Sequence, residues 1–239
     1  MPLIGWSKKF LHRFNISGFY LNIFQNDHPM LKLIVFDCDG VMFDSKKANC
    51  KYYNYLLEHF GLAPMSEDEE DYVHMSSVAD SVQHIFRHYT SPTLQEIHTF
   101  RKLCEYAPFL KYMEIEADLV EFLEITSKNF HLAISTNRTN TMVPLLKSYK
   151  LENYFGKVVT AATAKRPKPA PDGLVEILNY FNCKAEEAIF IGDSVVDEEH
   201  ARSCKVPLIA FKSPSLQAAY HVRSFLDILN LPPFQSTID

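Results

Sequence analysis

Two acidic side chains follow an apolar segment near the start of the chain, at a spacing that suits metal and phosphate chemistry. Asp37 and Asp39 come directly after residues 31–36, in the order Asp-Cys-Asp-Gly. Residues two apart on an extended chain share a face, so these two carboxylates converge. Carboxylates held this close repel each other and need a cation or a shared proton. Oxygen ligands beside a substrate phosphate suit Mg²⁺, although a turn with solvated acids has the same pattern.

A second acidic pair follows another apolar segment, residues 188–191. Asp193 lies just beyond it, and Asp197 comes four residues later, near the first turn of a predicted helix. Asp193 could complete the metal site that Asp37 and Asp39 begin. Asp197 is close enough to support the metal through a water or another ligand. Taken alone, each of these acids is equally well explained as a helix cap.

A hydroxyl and a lysine are candidates for binding phosphate. A third apolar segment ends in Ser135, Thr136 and Asn137, and hydroxyl and N–H groups at a strand-to-helix turn can hold phosphate oxygens. Lys168 lies between two prolines, which stiffen the backbone around it. An ammonium fixed in this way would offset the charge of a phosphoryl group in transfer. Lys165 and Arg166 are rival basic residues in the same stretch.

Short apolar strands alternate with amphipathic helices, and this alternation predicts how the polar residues are positioned. The predicted strands are 31–36, 131–135, 157–160, 188–191 and 207–211, and the predicted helices include 117–128, 141–149 and 171–181. Such alternation is typical of an α/β fold with a parallel sheet. We therefore expect a three-layer, Rossmann-like parallel sheet, with the polar residues gathered at the carboxyl ends of its strands.

One long segment interrupts this alternation. Residues 44–113 show helical patterns without a convincing strand, and Ser66 with Glu69 forms a capping-box signature. The sequence therefore predicts an α/β core with an inserted all-helical cap domain. The expected boundaries are an N-terminal extension at 1–30, a core at 31–43 and 114–239, and a helical cap at 44–113.

Bulk composition excludes several classes of function. The net charge of −5 over 239 residues gives no basic field for nucleic acid. No apolar run approaches the roughly 20 residues of a membrane span. The five cysteines are scattered without a C-x-x-C pair, which is typical of a reducing compartment. We expect a cytoplasmic protein that binds neither nucleic acid nor membrane.

Four motifs in this order resemble those of the haloacid dehalogenase superfamily of hydrolases. They are Asp37-Cys38-Asp39-Gly40-Val41, Ser135-Thr136-Asn137, Lys168-Pro169 and Gly192-Asp193-Ser194-Val195-Val196-Asp197. The position of the predicted cap is similar to that of the helical-cap branch, which includes phosphoglycolate phosphatases and β-phosphoglucomutase. The residues Ser203-Cys204 and Tyr112-Met113-Glu114 depart from the usual family pattern.

The resemblance implies a Mg²⁺-dependent phosphatase acting on a small phosphorylated metabolite through a phospho-aspartate intermediate. Asp37 would be the nucleophile, and Asp39 would protonate the leaving oxygen and then activate water. The presence of Asp39 favours a phosphoryl substrate over a halide. The implied metal site comprises Asp37, Asp39 (through its carbonyl), Asp193 and Asp197, the last supporting the metal or orienting Lys168. The implied phosphate site comprises Thr136, Lys168 and the backbone around Asn137.

Two alternatives stay open at this level. A phosphomutase of the β-phosphoglucomutase type would use a basic cap residue, but Val78 and Asn49 stand where arginine and histidine are expected. A catalytically silent binding protein could keep the same fold. Phosphoglycolate, a sugar phosphate and a nucleotide all remain possible substrates. The cap residues expected to face the site are Lys46, Lys47, Asn49, His74, Ser76 and Ser77.

Overall fold

The computed structural model describes residues 30–76 and 78–235. The predicted N-terminal extension, apart from Met30, and Ser77 lie outside the described residues. The strands are β1 Leu33–Phe36, β2 Phe43–Asp44, β3 Glu114–Ile115, β4 His131–Ser135, β5 Lys157–Val159, β6 Ala188–Gly192, β7 Leu208–Phe211 and β8 Tyr220–Val222. The α-helices are α1 Lys46–His59, α2 Glu67–Met75, α3 Val78–Ile85, α4 Leu94–Leu103, α5 Leu119–Thr126, α6 Met142–Ser148, α7 Asp172–Phe181, α8 Val195–Ser203, α9 Phe225–Ile228 and α10 Pro232–Gln235. Within the described residues, two 3₁₀ helices occupy Ala107–Tyr112 and Ala185–Glu187.

Six strands form one sheet in the order β5-β4-β1-β6-β7-β8, and every pairing in it is parallel. The predicted parallel α/β sheet is therefore confirmed. Strand β1 is central, with β4 on one side and β6 on the other. The segments that follow these three strands therefore leave the same edge of the sheet side by side.

The two faces of the sheet bury different side chains of the same strands. On β1, Ile34 and Phe36 pack with Phe122 of α5 and Leu145 of α6 in one hydrophobic cluster. Leu33 and Val35 point the other way and pack with residues of α7 and α8 in a second cluster. Because side chains alternate along a strand, one continuous apolar run supplies both interfaces. This arrangement is the three-layer sandwich that the sequence predicts.

Several elements differ from the predictions in detail. Strand β8 extends one edge of the sheet beyond β7, and β2 pairs with β3 in a short antiparallel ribbon; the sequence prediction missed all three. Strand β5 ends at Val159, one residue before the predicted end. Pro171 is the N-cap of α7 and not its first helical residue. These differences involve elements of two or three residues or shifts of one position.

Between β2 and β3 the chain is helical, with α1 to α4 followed by the first 3₁₀ helix. These helices share a hydrophobic cluster that includes Tyr53, Leu56 and Ile85. The predicted capping box at the start of α2 is present, because the Ser66 side chain accepts a hydrogen bond from the backbone N–H of Glu69. Across residues 30–76 and 78–235, no helix has the length and apolar character needed to cross a membrane.

Candidate active site

The carboxyl edge of the sheet gathers polar residues from distant parts of the chain. Asp37 follows β1, Thr136 follows β4 and Asp193 follows β6. Lys168 lies in the connection between β5 and α7. The backbone N–H of Asp37 donates to the carbonyl of Ile191 at 2.9 Å, so the ladder between β1 and β6 continues up to the first acid.

Three acids form a tight cluster at this edge. Carboxylate oxygens of Asp37, Asp193 and Asp197 all lie within 4.8 Å of one another. Like charges at this separation repel strongly, and burial adds to the effect. Burial, followed by repulsion from Asp197, raises the pKa of Asp37 to about 8 and that of Asp193 to about 7. A nearby cation would therefore favour the ionised form of both carboxyls.

The Lys168 ammonium supplies one positive charge inside this cluster. Its Nζ lies 2.7 Å from Oδ1 of Asp37 and 2.6 Å from Oδ1 of Asp197, and its side chain is only 5% exposed. Burial would lower the pKa of this lysine, but the two carboxylates outweigh burial and raise it. Arg166, one of its rivals in the sequence, pairs with Asp172 near the surface.

Asp197 is fully buried, and both of its oxygens have protein partners. Its Oδ1 accepts from Lys168, while its Oδ2 accepts from the Ser194 hydroxyl at 2.7 Å and from two backbone N–H groups. Burial alone would raise its pKa, but Lys168 and these hydrogen bonds hold it below the usual value. Of the two roles that the sequence left open for Asp197, this geometry favours orienting Lys168.

The donor set fits a divalent cation. When all three acids are ionised, the single ammonium of Lys168 leaves two negative charges uncompensated in the cluster. Of the three acids, Asp37 and Asp193 are the ones with raised pKa values, and their oxygens are hard ligands of the kind that Mg²⁺ prefers. A doubly charged ion at this position would hold both in their ionised forms.

Gly40 allows the close approach of the two acidic segments. Its φ of +78° lies in the left-handed region, and a Cβ at this position would lie 2.0 Å from Oδ2 of Asp193. Only glycine meets both requirements without strain. The Asp-Cys-Asp-Gly order therefore makes room for a carboxylate contributed more than 150 residues later in the chain.

Thr136 and Asn137 contribute in different ways. The Thr136 hydroxyl oxygen accepts from the backbone N–H of Arg138 at 3.1 Å, which leaves its hydrogen for another acceptor. The Asn137 side chain instead bridges the backbone of Lys168, donating to its carbonyl at 3.1 Å and accepting from its N–H at 2.9 Å. The Asn137 side chain thus positions the backbone of Lys168.

Asp39 forms an ion pair with Arg138, a residue that the sequence analysis did not identify. Both of its oxygens accept hydrogen bonds from Arg138, from Nε and Nη2, each at 2.7 Å. Its carboxylate is therefore not part of the cluster of Asp37, Asp193 and Asp197. Arg138 directly follows the Ser-Thr-Asn motif, and this adjacency was the available signal for it.

A buried histidine was also missed. His200 of α8 is fully buried, with Nδ1 2.8 Å from the carbonyl of Ala170 and Nε2 3.0 Å from Oγ of Ser135. Burial, helped by Lys168, lowers the pKa of His200 to about 4, so the ring is neutral. Nδ1 then donates to the carbonyl, and Nε2 accepts from the serine. The ring joins α8 to the segment that carries Lys168.

The residues expected to face the site from the helical insertion lie in varied surroundings. Lys46 pairs with Asp71 at 2.5 Å, and Lys47 with Glu114 at 3.4 Å. Asn49 accepts a hydrogen bond from the Tyr106 hydroxyl at 2.7 Å. The other three are His74, which is exposed, Ser76, which is half-buried, and Ser77, which lies outside the described residues.

Comparison with known proteins identifies the class of protein. Residues 34–211 match the family described as haloacid dehalogenase-like hydrolase, and the chain belongs to this family. It is similar to a phosphoglycolate phosphatase of Agrobacterium fabrum, with 25% identity over 193 residues that cover 76% of this chain and 80% of the relative. It is also similar to the pyrophosphatase PpaX of Listeria welshimeri, with 25% identity over 198 residues covering 80% and 88%.

Among solved structures, the chain resembles a hydrolase of the same superfamily, subfamily IA, from Geobacter sulfurreducens. The TM-score is 0.77 with 32% sequence identity, and the match covers 84% of this chain and 95% of that chain. The fold, the order of motifs and the relatives agree on one family of hydrolases.

Proposed function

We propose that this protein is a Mg²⁺-dependent phosphatase that hydrolyses a small phosphomonoester through a phospho-aspartate intermediate on Asp37. The observation that carries the proposal is the convergence of Asp37, Asp193 and Asp197 within 4.8 Å, with Lys168 between two of them. Membership of the hydrolase family and two relatives named as phosphatases support it.

The reaction proceeds in two displacements. A carboxylate oxygen of Asp37 attacks phosphorus, the bond from phosphorus to the ester oxygen breaks, and Asp39 gives its proton to the departing alkoxide. Asp39, now ionised, takes a proton from water as that water attacks the phospho-aspartate. Free phosphate leaves, and both acids return to their starting states.

The remaining residues bind and neutralise the phosphoryl group. Thr136 donates its free hydrogen to a phosphate oxygen, the backbone at Asn137 contributes an N–H group, and Lys168 offsets negative charge. Asp37, Asp193 and the carbonyl of Asp39 would hold Mg²⁺, and Asp197 would keep Lys168 in place. The bound ion would neutralise charge that develops on the phosphoryl oxygens during transfer.

We further propose that residues 44–113 act as a cap over the site, between core segments 31–43 and 114–239. The antiparallel ribbon of β2 and β3 joins the two at their boundary, which supports this division. The five cysteines are all free, which supports placing the protein in the reducing cytoplasm.

The test is release of inorganic phosphate from p-nitrophenyl phosphate and a panel of phosphorylated metabolites, with Mg²⁺ or with EDTA. We expect turnover only with Mg²⁺, and we expect Asp37→Asn to lower kcat by at least about 10³-fold because no nucleophile remains. Asp68→Asn, an exposed acid in the first turn of α2, is the matched control and should behave as wild type.

Equal, near-zero rates in wild type and Asp37→Asn would instead favour a binding protein with this fold. Interconversion of sugar 1- and 6-phosphates without release of phosphate would favour a phosphomutase. Either result would overturn the proposal.

A further inference from the structure

The ion pair between Arg138 and Asp39 is unusual because Asp39 is also the proposed proton donor to the leaving oxygen. The guanidinium donates to both Asp39 oxygens at 2.7 Å, and its side chain is 8% exposed while that of Asp39 is 38% exposed. A two-point contact of this kind is among the strongest that a carboxylate makes in a protein. Asp39 is thus held by the guanidinium at both of its carboxylate oxygens.

Contacts other than Asp39 fix the guanidinium in place. Nη1 donates to the Thr141 hydroxyl at 3.1 Å, and Nη2 lies 3.2 Å from the sulfur of Met113. The group also lies over the ring of Tyr106, 5.6 Å from its centroid, and the hydroxyl of that tyrosine is anchored to Asn49. The guanidinium therefore stays where it is when Asp39 moves.

The proposed function, on which this inference rests, requires Asp39 to carry a proton to the leaving oxygen. A carboxyl group that turns towards the leaving oxygen cannot keep both hydrogen bonds to Arg138, so the pair must open during the reaction. An unpaired charge left buried is strongly unfavourable. The other ionisable groups beside the guanidinium are the Cys38 thiol and the Tyr106 phenol, both neutral at pH 7. Neither can replace the lost anion.

We propose that Arg138 is a specificity residue that binds a negatively charged group of the substrate's leaving group in the place of Asp39. The substrate class is then a phosphomonoester with a carboxylate or a second phosphate close to the ester oxygen. The backbone N–H of Arg138 donates to the Thr136 hydroxyl, so this anion site adjoins the phosphate site. Adjacent sites favour a short leaving group.

The test compares two esters that differ only in charge: 2-phosphoglycolate and 2-phosphoglycolamide, in which an amide replaces the carboxylate. Because hydrogen bonds between charged partners are strong, we expect wild type to favour the acid by about tenfold to hundredfold in kcat/KM, largely through KM. Arg138→Gln should lose this preference, with kcat/KM falling by at least about tenfold more for the acid than for the amide. Arg138→Lys should retain part of it, and Arg202→Gln, an exposed arginine of α8, should match wild type.

A second measurement needs no variant. Glycolate should inhibit hydrolysis of p-nitrophenyl phosphate competitively, and glycolamide should inhibit at least about tenfold more weakly. The inference is overturned if wild type treats the two esters alike, if Arg138→Gln loses activity on both equally, or if the two inhibitors are equivalent. Each of these results can occur while Asp37-dependent release of phosphate persists, so they differ from failure of the proposed function.

Discussion

Lys168 contributes to stability as well as to the proposed chemistry. Asp197 is fully buried and Lys168 is the cation that contacts it, at 2.6 Å. The same ammonium also contacts Asp37 at 2.7 Å, on the side where phosphate is expected. Because the buried Asp197 holds the Lys168 ammonium in place, the ammonium stays fixed when a ligand binds on its other side. Stabilisation of a transition state requires charge that is preorganised in this way.

Replacing Lys168 should therefore lower both the stability of the protein and its activity. We expect Lys168→Met to lower the free energy of unfolding by about 3–5 kcal/mol, because it leaves the Asp197 charge buried without a cation. We expect kcat/KM to fall by about 10²–10³-fold. Denaturant unfolding and phosphate release measure the two effects.

Lys212→Met is the matched control, because Lys212 pairs with Glu116 at 2.5 Å but its side chain is 47% exposed. Such a surface pair contributes about 0–1 kcal/mol. If the two variants unfolded at the same denaturant concentration, the buried network would not have the role given to it here.

At the scale of single residues, the sequence predicted those that follow strands and missed those defined by distant partners. The acids Asp37, Asp193 and Asp197 stand directly after apolar runs or within one helical turn of them, and the structure brings them together. Arg138 belongs to the site because it pairs with Asp39, which lies 99 positions earlier in the chain. No local sequence pattern indicates a contact over that distance. His200 was missed for the same reason, since its partners lie 30 and 65 positions away.

At the scale of elements, the turn after β1 determines whether the acids of two strands can meet. Gly40→Ala would place a methyl group 2.0 Å from an oxygen of Asp193, in a backbone conformation with φ of +78°. We expect the variant to lose about 2–4 kcal/mol of stability, from backbone strain and from displacement of the carboxylate. Activity should fall by about 10²-fold or more as Asp193 moves.

Gly61→Ala is a control that separates backbone strain from displacement of the Asp193 carboxylate. Gly61 also has a positive φ, +69°, but nothing lies within 4 Å of its added Cβ. Strain alone should cost about 1 kcal/mol there and leave activity unchanged. Equal effects of the two substitutions on activity would show that the contact with Asp193 is unimportant.

Elements with a strong apolar pattern were predictable, and short ones were not. All five predicted strands are present, and four of them, β1, β4, β6 and β7, have four or five buried residues in a row, which leaves little alternative. The exception is β5, which has three residues. Strand β8 has three residues, and of these only Val222 is fully buried. The ribbon of β2 and β3 has two residues on each side and exists because the ends of the helical insertion meet. Such pairing depends on tertiary contacts and leaves no periodic signal.

At the scale of the whole molecule, the charge at the carboxyl edge of the sheet should make stability depend on Mg²⁺ and pH together. The folded-state pKa values of Asp37, about 8, and Asp193, about 7, exceed the ordinary value of 3.8. Between pH 4 and pH 8 these two carboxyls therefore bind more protons in the metal-free folded protein than in the unfolded chain. The stability that these two groups contribute is fully present below the unfolded pKa and is lost as pH rises through the folded values. A bound cation removes this penalty by stabilising the ionised carboxylates.

The difference in thermal midpoint between Mg²⁺ and EDTA should accordingly grow with pH. Saturating Mg²⁺ should raise the midpoint by about 5–10 °C at pH 8 and by clearly less at pH 6, because protons compete with the metal at low pH. Asp193→Asn should raise the midpoint in EDTA at pH 8, since it removes one repelling charge, and should lose most of the response to Mg²⁺. Asp68→Asn should keep the full response. A shift that is the same at pH 6 and pH 8, or one that survives in Asp193→Asn, would mean that Mg²⁺ binds somewhere other than this cluster, because only ligands that titrate in this range make its affinity depend on pH in this way.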